Sequence, residues 1–188
     1  MALTLISTPL DITTSDTAVS TVSITSGIDG TYSAYEFHWV NIHPETDNTE
    51  FQFQVETGSD TDYDHPMVTT YVQAHNDESG GSPTVAYSTG DDQGTAGDGN
   101  GVFQTLAKDV GAGEANQSTS GVLTLYAPSS GTYVKHFVAT SNCYQGGDTS
   151  VQTFVAGYVN ITTAITRVQF KMSGDKIDAG TIKMFGVT

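Results

Sequence analysis

Apolar and polar residues alternate along much of this chain. Glu50-Phe51-Gln52-Phe53-Gln54-Val55-Glu56 keeps the alternation without a break. A period of two predicts a half-buried strand, because successive side chains point to opposite faces. Phe51, Phe53 and Val55 should face a core, and Gln52, Gln54 and Glu56 should face solvent or a neighbouring subunit. Tyr35 to His43 is a second extended segment, stopped by Pro44. The turn-forming cluster Pro44-Glu45-Thr46-Asp47-Asn48 lies between the two and predicts that they form a hairpin with a longish loop. Further strands are predicted over 67–75, 121–126, 133–139, 151–161, 167–172 and 181–187, with shorter ones over 3–7, 19–24, 84–87 and 102–106.

Helical spacing is confined to Phe103–Val110, where Leu106, Ala107 and Val110 fall on one side before Gly111 and Gly113 intervene. About ten short antiparallel strands, separated by Gly, Ser, Asp and Pro turns, predict an all-β fold, a single-domain jelly-roll-like β-sandwich. The sandwich is expected over 27–188, with 1–26 as an N-terminal arm or edge strands. Residues 79–101 are rich in Gly and Asp and predict one long loop at an end of the sandwich, either a recognition loop or a plain tip. Trp39-Val40-Asn41-Ile42 before Phe51–Asp60 is echoed by Tyr158-Val159-Asn160-Ile161 before Val168–Asp175, as in two similar hairpins.

Composition narrows the picture. A chain of 188 residues fits one domain and can bury about 70% of its unfolded surface. Cys143 is the single cysteine, so no intramolecular disulfide can form, and a small buried hydrophobe is the expected role. No Lys or Arg precedes Lys108, whereas sixteen of the 21 Asp and Glu do, and the formal net charge is −15. Nucleic acid and anionic membranes are gripped through Lys and Arg, so neither is an expected partner. The asymmetry suggests an acidic half facing water and cations, and a C-terminal half that docks onto something else. The short apolar run at 3–6 has no basic flank, and no window approaches the roughly 18 apolar residues of a membrane span, so a soluble, cytoplasmically made protein is expected.

Candidate chemistry is sparse. Asp60, Asp62 and Asp64 alternate like the opening of a calcium loop, where each carboxylate lends oxygen to a hard cation. His65 stands where such a loop needs Gly, and Tyr71 where it needs Glu, so the full motif is absent; a looser site and a solvated acidic turn both remain. The five histidines (His38, His43, His65, His75 and His136) lack zinc spacings. Neither a Gly-x-Ser-x-Gly elbow nor a Walker loop occurs. No catalytic residue, no cofactor and no committed metal ligand follow, and a non-enzyme is expected.

Gly27–Phe37, Asn41–Asn48, Gly121–Ser130, Tyr133–Phe137, Phe154–Asn160, Phe170–Gly174 and Gly180–Val187 together resemble a family of structural proteins of tailed bacteriophages, especially marine ones. The resemblance implies a virion component, assembled in the host cytoplasm, and carries over no catalytic residues. The first reading within that context is a capsid decoration or cement protein, expected as a symmetric homo-oligomer (a trimer first) bound to the major capsid protein. The alternatives are a tail-fibre, spike or adaptor protein that binds a host surface glycan through the 79–101 loop, and a free carbohydrate-binding module.

Overall fold

A computed structural model describes residues 2–81, 83–94 and 102–188. Among them the chain forms twelve strands and no helix: β1 (Leu3–Ile12), β2 (Thr21–Ile24), β3 (Ala34–Pro44), β4 (Thr49–Thr57), β5 (Met67–Asp77), β6 (Thr84–Tyr87), β7 (Gln104–Val110), β8 (Thr119–Tyr126), β9 (Lys135–Gln145), β10 (Thr149–Val159), β11 (Ile165–Met172) and β12 (Ile177–Val187). Every segment marked as a strand by the sequence is one.

The strands form two antiparallel layers. One runs β1-β12-β3-β8-β9-β10-β5-β6, and the other β2-β11-β4-β7. Among the described residues the layers are linked by one ladder pair, Val110 with Gln145, where β7 meets β9. With the hairpins β5–β6 and β9–β10 set aside, β1-β12-β3-β8 faces β2-β11-β4-β7. That is the strand order of a jelly roll, with the chain crossing between sheets from β1 to β4 and again around β7–β8 and β11–β12. The two extra hairpins pair with each other through β10 and β5, and they widen one sheet from four strands to eight.

This order corrects the predicted hairpins. β3 pairs with β12 and β8, whereas β4 pairs with β11 and β7, so the turn after Pro44 carries the chain from one sheet to the other. The echoed passage from β10 to β11 does the same. Alternation separates the two faces of a strand and leaves the choice of partner strand open. The segment with helical spacing is strand β7. The β4–β7 ladder pairs Gln52 with Thr105 and Phe51 with Ala107, so Leu106 is a bulge residue and both Leu106 and Ala107 turn into the core; Asp109 then adopts a left-handed φ of 52°.

The core between the layers is aromatic. Phe51 stacks on Phe170 at 5.7 Å and 8°, and Phe37, Phe53 and Trp39 pack around them. Phe51, Phe53 and Val55 face inward as the alternation predicts. Gly121 lies opposite Trp39 across the β3–β8 ladder, and a Cβ there would come within 2.5 Å of the indole and 2.4 Å of the Thr140 carbonyl. Cys143 is buried, and burial pushes its thiol up to about 12, which suits a packing residue rather than a nucleophile. Residues 3–12 form an edge strand held by β12 of the same chain, with Ala2 and Thr188 exchanging backbone hydrogen bonds.

The acidic and less acidic halves do not form separate surfaces, because each sheet draws strands from both. The bases of the second half reach back to the first. Lys108 binds Asp91, Arg167 donates to the Gly58 carbonyl, Lys171 lies 4.1 Å from the Phe103 ring centroid, and Lys176 approaches Glu45.

Candidate functional site

The predicted cation ligands lie in the loop that follows β4. Asp60 turns its Oδ1 onto the amides of Thr61 (2.7 Å) and Asp62 (3.3 Å), which is the local bonding of an Asx turn. The loop folds around Glu56, which is 1% exposed. The Glu56 carboxylate accepts hydrogen bonds from the amides of Thr57 (2.6 Å) and Tyr63 (2.8 Å), and Tyr63 takes a left-handed φ of 50° to present its N–H. His65 Nε2 comes within 2.6 Å of the same carboxylate, without hydrogen-bond alignment. Among the described residues no group of three His, Cys, Asp or Glu side chains is placed to hold a metal ion, and Asp60, Asp62 and Asp64 are not brought together as a ligand set.

Two expectations about β4 are corrected here. Gln54 and Glu56 do not face solvent or a neighbour; both are buried by the chain itself. The Gln54 side chain donates to the carbonyls of His65 (3.0 Å) and Val102 (2.9 Å), so its two neighbouring segments cover the outer side of the strand. A strand pattern cannot reveal a loop that returns to cover it.

Residues 79–101 are not one continuous loop. β6 lies within them, and the chain then turns inward so that Asp91 is 9% exposed. Lys108 Nζ grips both Asp91 oxygens at 2.8 and 3.0 Å, and the Ser88 hydroxyl donates to the same carboxylate. The hydrogen bond that Lys108 donates to Asp91 holds the Lys108 pKa above the usual lysine value. Gln104 donates to the Asp91 carbonyl and accepts from the Thr69 hydroxyl at 2.7 Å, and that hydroxyl in turn accepts from the Gln93 amide. Residues 82 and 95–101, which include the proposed recognition tip, lie outside the described residues.

The histidines are dispersed. His38 bonds Glu36 at 2.7 Å and packs on Phe185; His43 bonds Asp178 at 2.7 Å; His75 contacts Gln73; and His136 meets Tyr158 edge-on. Among the described residues none of these pairs is joined to a nucleophile.

The most unusual surface is the outer face of the eight-stranded sheet. The ladder registers define rows that cross it. One row is Lys183–His38–Val122–Thr140–Phe154–Val72–Tyr87. Its neighbour is Leu5–Phe185–Glu36–Thr124–Val138–Ala156–Thr70. These fourteen residues hold one Glu and one Lys, and so sum to zero formal charge in a chain of −15. Of the ten exposed large apolar side chains among the described residues, eight lie on this face: Leu3, Leu5, Val40, Val85, Tyr87, Tyr126, Val138 and Phe154. A shallow groove of about 350 Å³ opens between Val68, His136, Val138 and Tyr158. Outward positions of a solvated antiparallel sheet are ordinarily polar, and a contiguous exposed apolar field marks a contact surface. Its residues were visible in the sequence, but only the strand order shows that they share a face. Comparisons with known proteins add no relative to this description: no family model, no curated protein and no solved structure matches the chain.

Proposed function

We propose that this chain is a non-enzymatic structural protein of a bacteriophage virion, a decoration protein that covers the outer shell as a symmetric oligomer in contact with the major capsid protein. The observation that carries the reading is the broad apolar face whose two central rows sum to zero formal charge, on an otherwise strongly acidic chain. Such a surface suits persistent contact between proteins, whereas the dispersed histidines and internally bonded carboxylates offer no assembled reaction centre. The jelly-roll order is compatible with shell proteins, but the fold alone does not carry the function. The family resemblance of the sequence supplies the virion context.

The test is the copy number of this chain in purified particles, measured by quantitative mass spectrometry against the major capsid protein. A number comparable to that of the capsid protein is the expected result. Absence from purified heads, or a number far below the capsid protein's, would remove the decoration reading and favour a tail component.

A further inference from the structure

We infer that the outer face of the eight-stranded sheet is where copies of this chain bind one another, with Phe154 and Val138 near the centre of the contact. The inference deepens the oligomeric part of the reading above by naming the surface and its occupant.

Three observations select a second copy as that occupant. The first is area. Seven strands at a spacing of ~4.8 Å, over ~24 Å of shared ladder, give a face of roughly 800 Å², and the short β6 extends it at one edge. That is close to the ~800 Å² per partner that a stable interface buries.

The second is charge. Two copies of a −15 chain repel wherever carboxylates are brought together. In the two central rows the sole formal charges are Glu36 and Lys183, of opposite sign, so one copy's face can meet another's without opposed carboxylates. Salt screens the remaining acids beyond about 8 Å at physiological ionic strength. A strongly basic partner would find its complement on the acidic surfaces, not on this one.

The third is chemistry. Phe154 and Val138 are 45% and 46% exposed, on adjacent hairpin strands, and Tyr87 continues the field to the last strand. Aromatic and aliphatic anchors at the centre of a patch, with Thr and His around them, are the composition of an interface core. Glu36 is held by His38 at 2.7 Å, so the acid on the face is already hydrogen-bonded when another copy arrives.

Light scattering with size-exclusion chromatography on the full chain at micromolar concentration reads the outcome. The expected result is a dimer or trimer for the native chain. Phe154→Glu places a carboxylate at the centre and is expected to weaken association by roughly a hundredfold or more. Tyr133→Glu, at an exposed aromatic off this face, is the control and is expected to associate like the native chain. Circular dichroism and the melting midpoint establish that each variant is folded, and Val138→Ser is the milder substitution if Phe154→Glu is not. A native chain that stays monomeric would overturn the inference, as would a folded Phe154→Glu or Val138→Ser variant that associates undiminished. The two readings fail separately. Oligomers in solution with no copies in the particle would remove the virion reading alone, and a monomer that decorates particles would remove this inference and the oligomeric part of that reading while leaving the place in the particle intact.

Discussion

The jelly-roll core and the four-strand extension solve the same burial problem with different chemistry. Between β1-β12-β3-β8 and β2-β11-β4-β7, the space is filled by Phe37, Trp39, Phe51, Phe53 and Phe170, whose contacts are apolar and geometrically simple. The inner side of the extension carries Thr69, Gln73 and Thr153 among its buried residues, and Asp91, Gln93 and Gln104 hydrogen-bond against it. A second complete sheet covers the core, whereas an irregular segment that must satisfy its own backbone polar groups closes the extension. The apolar core tolerates no missing volume, and the polar cover tolerates no missing partner.

The largest effect should come from the core. Phe170→Ala removes a ring that contacts three other phenylalanines and should cost about 4 kcal/mol, read as a lower urea midpoint with both regions unfolding together. Lys108→Ala should cost about 3 kcal/mol, because it leaves Asp91 buried and without its cation. Its signature is regional: amide exchange should quicken in β5, β6 and 88–94 well before β3 and β11. If β3 and β11 quicken equally, the extension has no cover of its own and the comparison fails. Gly121→Ala should cost about 2 kcal/mol, since the added methyl must displace either Trp39 or the β9 backbone.

The smallest effect should be a gain. Lys135 has no exposed surface, and its ammonium has one long hydrogen bond, 3.4 Å to the Ile161 carbonyl. Burial lowers its pKa below the usual 10.5, so the folded chain binds this proton less tightly than the unfolded chain does. The cost of the charge is therefore full at neutral pH and disappears as the pH rises through the folded and then the unfolded value. Lys135→Met should stabilise by about 1 kcal/mol at neutral pH, with the advantage shrinking in alkaline denaturation curves. Lys108 shifts the other way. Its pKa is raised, so its contribution is complete below the ordinary lysine value and is lost as the pH passes above the raised one. Comparing the two variants across alkaline pH distinguishes the isolated lysine from the paired one.

The sequence revealed elements and faces more readily than neighbours. The alternation at Phe51, Phe53 and Val55 identified a strand and its inward side, and all three are fully buried. The same pattern sent Gln54 and Glu56 to solvent, because nothing local to β4 announces that 58–66 and Val102 return to cover them. Leu106 and Ala107 suggested a helical stripe because a bulge at Leu106 turns two consecutive side chains into the core, which breaks the alternation that marks a strand. The acidic run at Asp60 was legible, and its first carboxylate bonds the amides of its own turn, while Asp60, Asp62 and Asp64 are not brought together among the described residues. The apolar outer face was hidden for a different reason. Leu5, Val138 and Phe154 are far apart in sequence, and only the register brings them onto one surface.

The strand order also sets a timetable for synthesis. β11 lies between β2 and β4, and β12 lies between β1 and β3, yet both are made after every strand they bridge. β5 must likewise wait for β10, roughly 70 residues later, which is about 4–14 s at about 5–20 residues per second. Neither sheet can close while the ribosome is still adding β11 and β12. The nascent chain must carry unpaired strand edges in both layers until β11 and β12 arrive, one for each layer.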